Sequence, residues 1–453
     1  MKQLLIVTAI CVFVFAACDA AVSGTLPIDD INGSNNDDPN INPTIDPPVD
    51  PPVDPWSFPV VTELWEPGEY TDDESVTITG AYPIDNWRQL QFIGETFLED
   101  PTLLTHTYYL TADITFPSRD VNVPAEFEAD SYVVDGFTPI GSEINDGVES
   151  YILPFTGNFD GQRFSISDLH IIQNVHHYLN RYAGLFGRIG DNIDVPVEDR
   201  PLIRNLTLRN VNVTGSQSSG ALAGLTKYSV VRKIIVEGGS VQGTAIIGGL
   251  IGEASNFDIS HSSASASVSG SHTVAGLIGG VITGNVTSSY ATGDVTGDVT
   301  GNVTGPFSNF GGLIGFASDS NIENTYALGT VSVSGNKIGG LVGFAITSTI
   351  TTSYSRSRVF GLTNVGGLVG SGVFSEALLD NYWDASPRTE DLPNDAAYVY
   401  PAFGIGNLGS DDGAAPLTPT TAANFTGFVF STTEGWNTPA DGEWPTLYWQ
   451  EEN

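Results

Sequence analysis

The chain has 453 residues, 51 of them glycine, with 40% hydrophobic and only 15% charged, so it carries enough apolar surface to fold and is not a disordered polymer. Asp and Glu number 53 against 16 Lys and Arg, a formal net charge of −37 that repels phosphate backbones, excluding nucleic acid as a partner and an electrostatic grip on anionic lipid. Both cysteines, Cys11 and Cys18, lie near the start, which leaves the rest without a disulfide framework, a catalytic thiol or a cysteine metal site.

Residues 1–17 read as a secretory signal: Lys2 supplies the charge, and Leu4 to Phe15 form an apolar stretch too short to span a bilayer comfortably. The run Phe15-Ala16-Ala17-Cys18 resembles the lipobox of bacterial lipoproteins, with Phe15 where that family prefers leucine. The resemblance implies lipidation of Cys18, and so an exported protein anchored through lipid to the cell envelope, at the cell surface or outer membrane. Residues 18–58 read as a tether. Its prolines deny backbone donors and its aspartates repel one another, as in the repeated Pro-Pro-Val-Asp of Pro47 to Asp50 and Pro51 to Asp54, so no core can form there.

Residues 59–183 read as an N-terminal cap followed by the first turns of a repeat array. Asp85 is placed to cap a short amphipathic helix from Asn86 to Phe97, with Trp87, Leu90 and Ile93 on one face.

Residues 184–388 carry the repeat itself. A quartet of small residue, Leu, apolar residue and Gly recurs seven times: Gly184 to Gly187, Ala221 to Gly224, Gly249 to Gly252, Gly276 to Gly279, Gly312 to Gly315, Gly340 to Gly343 and Gly367 to Gly370. The leucines are spaced 37, 28, 27, 36, 28 and 27 residues apart, a period of 27 or 28 with two insertions. Ten residues into each of five later units begins a second element, at Val231, Ile259, Val286, Ile322 and Ile350, with apolar or small residues five and usually nine positions on. The two-residue alternation, broken at regular places, predicts short strands joined by tight corners. Stacked turns of this kind predict an all-β fold, a parallel β-helix (β-solenoid) with caps at both ends; right-handed winding is the default for parallel crossovers. The small residues of the quartets are read as letting turns bend tightly and approach closely.

The quartets, together with the following Tyr-Ala-x-Gly-x-Val-x-Gly of Tyr290 to Gly297, resemble the GLUG-motif repeats of bacterial surface proteins. Such repeats occur in adhesin-like proteins and in streptococcal metalloproteases that cleave immunoglobulin A. Tyr109 to Ile114, Thr138 to Gly141 and Phe155 to Gly161 look like that family's lead-in segments. Asn381 to Asp384 and Trp444 to Trp449 look like its closing segments. Residues 389–453 read as a loop and a C-terminal cap, with the aromatic-rich Phe425 to Trp449 folding over the last turn. The resemblance implies a surface β-solenoid and no single activity.

Chemistry is sparse. The metalloproteases need His-Glu-x-x-His, and none of His106, His170, His176, His177, His261 and His272 is followed by Glu, so protease activity is not carried over. A β-helix polysaccharide lyase would need a basic residue for proton abstraction. Arg204, Arg209, Arg232 and Lys233 form a local basic strip, which reads more simply as charges solvating one face. The insertion Gly293 to Thr304 and the acidic loop with Asp191, Asp194, Glu198 and Asp199 supply oxygen atoms that calcium could use, but the insertion lacks the Gly-Gly-x-Gly-x-Asp nonapeptide of calcium-binding β-rolls and reads more simply as a locally duplicated loop. No cofactor is expected. Tyr290, Tyr326, Tyr354 and, by the same register, Tyr382 align as a ladder. It serves either to stabilise the stack or as a flat aromatic face for a surface glycan or protein ligand. The expected function is a noncatalytic surface lipoprotein for adhesion or envelope interaction, against a carbohydrate-acting enzyme on the same scaffold. If the tyrosines are not the contact, the insertions at residues 189–201 and 298–306 are the next candidates.

Overall fold

The computed structural model describes residues 58, 60–119, 132, 135–145, 150–172, 181–191, 195–297, 308–374, 378–385, 401, 403–411, 414–417 and 421–451. Cys18, the signal and the tether up to residue 57 lie outside the described residues, as do His176, His177, Asp194 and the insertion at 298–306. The chain divides into two units, Met1–Ser57 and Phe58–Asn453, and the second is the folded body described below. No helix among the described residues is long and apolar enough to cross a membrane.

The body opens on a hairpin in which β1 (Gly68–Thr71) pairs antiparallel with β2 (Thr77–Ile84). The helix that follows, α1 (Trp87–Thr96), starts one residue later than expected because Asn86, not Asp85, is its cap. The Asn86 side chain accepts from the N–H groups of Arg88 and Gln89, and the Gln89 side chain reaches back to the N–H of Asn86, a reciprocal capping box. Trp87, Leu90 and Ile93 are fully buried. The lead-in segments join the parallel stack: Tyr82 to Ile84 pair with Tyr108 to Leu110, which pair with Phe159 and Asp160, which pair with Ile203 and Arg204.

From there each repeat contributes to three parallel sheets. One repeat gives Ile251–Ser260 and Ser263–Ala264 to the first sheet, Ser267–Ser269 to the second and Thr273–Ala275 to the third. Register is held along all three. Val231, Ile259, Val286, Ile322 and Ile350 form one buried row, and Val241, Val268, Val295, Val331 and Val359 another. Ile247, Val274, Phe310, Ile338 and Val365 form the third. Burying one such side chain is worth roughly 1.5–3 kcal/mol, so the rows between repeats, rather than strands of two or three residues, hold the fold.

The quartet glycines serve close approach, not turning. None of them has a positive φ. A Cβ on Gly249, Gly276, Gly312 or Gly340 would run into the carbonyl oxygen of the equivalent glycine one repeat on. The bends are made elsewhere, by left-handed residues in two series. The first is Gly190, Tyr228, Asn256, Thr283, Asp319 and Thr347; the second is Asn205, Lys233, His261, Ser288, Asn324, Thr352 and Asp380. A left-handed β-branched residue is strained, and it persists only where the surroundings fix it. Just beyond the second corner a buried polar row does so. The N–H of Ile234 donates to Ser262 Oγ, that of Ser262 to Ser289 Oγ, that of Thr325 to Ser353 Oγ and that of Ser353 to Asn381 Oδ1, at 3.0–3.3 Å. These side chains accept the backbone N–H groups that the bend takes out of the sheet ladder.

Candidate functional site

The tyrosine ladder exists and is not a surface. Tyr290 and Tyr326 stack with ring centroids 4.8 Å apart and planes within 1°, and Tyr326 and Tyr354 at 5.0 Å and 4°. Tyr382 follows in register. These side chains do point away from the interior of the repeats, on the side opposite Ala291 and Ala327, but a second layer covers them. Tyr326 and Tyr354 are each 2% exposed and Tyr382 7%, while Tyr290 is half-buried.

The cover is the segment 421–451, expected over the last turn and found instead along the flank of several repeats. Trp449 packs on Tyr290, Trp436 on Tyr326 and Tyr354, Trp444 on Tyr354, and Phe425 and Phe428 on Tyr382. Hydrogen bonds fix it: Tyr354 Oη donates to the Pro445 carbonyl at 2.6 Å, Gln450 Nε2 to Tyr326 Oη at 2.7 Å, and Trp449 Nε1 to the Ser288 carbonyl at 2.9 Å. Burial pushes the Tyr326 and Tyr354 hydroxyls well above the ordinary tyrosine range, with the neighbouring tyrosine adding to it. The reading of Tyr290, Tyr326, Tyr354 and Tyr382 as an open contact face is thereby corrected. Facing out of a repeat is not the same as facing water when the chain has aromatics left to bury.

The basic strip is also occupied. The tip of the β1–β2 hairpin lies on it, and Arg204 donates through Nε to Asp160 Oδ2 at 2.9 Å and through a terminal nitrogen to Asp72 Oδ2 at 2.6 Å, with Asp73 at 3.6 Å. Arg232 meets Glu74 at 3.0 Å, Lys233 meets Asp73, and Arg209 meets Glu237 at 2.7 Å. Burial would raise the Asp72 carboxyl. The hydrogen bond and charge of Arg204 and the N–H groups of Val76 and Glu74 outweigh it and hold Asp72 below the usual carboxylate range. A cation held this way by three carboxylates is a clamp on the hairpin, not a base waiting for a substrate proton.

The first corner series stays open. A groove of about 700 Å³ runs along it, from Tyr228 through Asn256, Thr283 and Asp319 to Thr347. Beside the corners Asp258, Asn285, Asn321 and Thr349 align in register, one per repeat. Asn285 Nδ2 donates to Asp258 Oδ1 at 2.5 Å, Thr349 Oγ1 to Asn321 Oδ1 at 2.7 Å, and Thr347 Oγ1 to Asp319 Oδ1 at 2.7 Å. The floor is the buried ring of Phe257, which lies where a Cβ on Gly284 would stand. One end is closed by Arg200 from the 189–201 insertion. Its guanidinium sits 5.7 Å over the Tyr228 ring, donates to the Asn256 carbonyl at 3.3 Å and lies 3.7 Å from Asp258. Of the proposed calcium loop, Glu198 and Asp199 are exposed on a short 3-10 turn. Among the described residues no group of three or more His, Cys, Asp or Glu is gathered to hold a metal ion. Sequence reasoning pointed to the insertion but not to the groove, because its rungs, Asp258, Asn285, Asn321 and Thr349, keep no one residue type and stand 27, 36 and 28 positions apart.

A family profile, the GLUG motif, matches residues 243–269, which is one full repeat from Gly243 through the quartet at Gly249 to Ser269. Halomucin of Haloquadratum walsbyi is 31% identical over 211 residues, which is 44% of this chain and 2% of halomucin, so the chain spans a small fraction of that relative's length. Two solved structures align. One is a Bacteroides ovatus protein provisionally named an immunoglobulin A1 protease, at TM-score 0.40 and 15% identity over 82% of this chain and 93% of that one. The other is an IgA1 protease, at TM-score 0.39 and 16% identity over 71% of this chain and 24% of that one. The chain is thus a repeat protein that carries the GLUG motif.

Proposed function

We propose that this chain is a right-handed parallel β-solenoid displayed at the cell surface as a noncatalytic lipoprotein, anchored through Cys18 and held off the membrane by the tether of residues 18–58. The observation that carries the reading is the GLUG repeat stacked in register through three parallel sheets. Such a stack offers long lateral surfaces for a ligand. The basic residues that a lyase mechanism would draw on are engaged by Asp72, Asp73, Glu74, Asp160 and Glu237, which favours display over chemistry. Its partners on this reading are a membrane, through the lipid, and a surface glycan or protein, through the flank.

Cells expressing the chain and its Cys18→Ser variant test the reading. The parent should enter the detergent phase and be shaved from intact cells by added protease; the variant should move to the aqueous phase or the medium. Identical partitioning of the two, or protection of the parent on intact cells, would contradict it.

A further inference from the structure

We infer that the corner groove is a binding site for an uncharged glycan chain. The inference rests on the display reading and adds a ligand class to it. Four features of the groove point this way. First, its rungs are carboxylate, amide and hydroxyl groups, each recurring at the strand spacing of about 4.8 Å, so five successive corners offer polar contacts over about 19 Å. A polyhydroxyl chain, whose every ring both donates and accepts, matches such a row; an apolar ligand does not.

Second, the rungs are fixed in advance. The bonds from Asn285 to Asp258 and from Thr349 to Asn321 use one donor or acceptor of each amide and orient the group, while an amide has two donors and two acceptor lone pairs. Little side-chain freedom is then lost on binding, which is where affinity is usually spent. Arg200, stacked on Tyr228 and 3.7 Å from Asp258, fixes the end rung in the same way.

Third, the charge of the site selects the ligand. Asp258 and Asp319 line it, the one cation lining it among the described residues, Arg200, already faces Asp258, and the whole chain carries −37. A polyuronate or sulfated chain would be repelled. Fourth, a peptide strand has no purchase. The backbones of 258–260, 285–287 and 321–323 are paired with neighbours on both sides, so no sheet edge is available for strand addition. Phe257 is covered, leaving no deep apolar pocket for an anchoring side chain.

The test is calorimetric titration of the full chain in detergent with cellohexaose, xylohexaose, laminarihexaose, mannohexaose and chitohexaose, beside hexagalacturonate and a mixed library of hexapeptides. At least one neutral hexasaccharide should bind with Kd below about 1 mM. The Asn285→Ala/Asn321→Ala double variant should weaken it roughly tenfold or more through lost hydrogen bonds, and Ser267→Val on the second sheet should leave it unchanged. If the double variant melts early, Asp319→Asn with Thr347→Ala replaces it, since both positions are exposed. No neutral binding up to about 10 mM, preference for hexagalacturonate or for peptides, or undiminished affinity in a folded groove variant would each overturn the inference. Those outcomes leave surface display standing. Recovery of shortened oligosaccharide would instead overturn the noncatalytic reading.

Discussion

Glu253 is a carboxyl buried inside the body. It lies on the strand Ile251–Ser260 between Leu225 and Gly280 in register, 3% exposed, and its Oε2 has no hydrogen-bond partner. Burial pushes its carboxyl up to about 7, against the smaller opposing pull of Lys227 and Arg188. In the unfolded chain the same group titrates near 4.3. Between those values the folded state holds a proton that the unfolded state has lost, so stability falls as pH rises from about 4.3 to about 7 and is level beyond it. At about 1.4 kcal/mol per pH unit the span is worth roughly 4 kcal/mol as an upper figure. Glu253→Gln should therefore raise the melting temperature at pH 8 while leaving it nearly unchanged at pH 4.5. An equal shift at both pH values would contradict the assignment.

At the scale of elements, the segment 421–451 and the tyrosine ladder make one aromatic layer distinct from the rows inside the repeats. Trp436 is its centre, fully buried, packed on Tyr326, Tyr354 and Phe428, and bonded through Nε1 to Asn324 Oδ1 at 3.0 Å. Trp436→Ala should cost about 3–5 kcal/mol, within the range for emptying a buried tryptophan site. The loss should fall on the layer: hydrogen exchange should quicken at 421–451 and around Tyr326 and Tyr354, while the rows at Val268 and Val295 keep their protection. Uniform loss across the body would show that the segment is not a separate layer. The ladder itself was legible because Tyr290, Tyr326 and Tyr354 keep the period of the repeat. Its cover was not, because nothing local ties Trp449 to Ser288 or Trp436 to Asn324 across more than a hundred residues.

For the molecule as a whole, the same distinction separates what the sequence reveals from what it hides. The row Val268, Val295, Val331 and Val359 repeats one residue type at the period of the repeat and its one insertion, so the strands, their parallel pairing and their register could all be read. The corners could not. Asn256, Thr283, Asp319 and Thr347 share a left-handed backbone but no one residue type, and the two threonines, being β-branched, are poor guesses for φ above zero. The groove follows from those corners and was hidden with them. So was the clamp, in which Asp72 and Arg204 meet from 132 positions apart. Everything proposed for the flank depends on equivalent positions standing one strand apart along the stack.

That register is open to a direct measurement. Thr287 and Glu323 are half-buried partners on neighbouring strands, whereas Ser332 lies on a different sheet. In a Cys11→Ser, Cys18→Ser background, cysteines placed at 287 and 323 should join rapidly with a bifunctional thiol reagent spanning about 5 Å, and cysteines at 287 and 332 should not. Comparable yields from the two pairs, or a link at 287 and 332 alone, would contradict the stacked register and with it the groove.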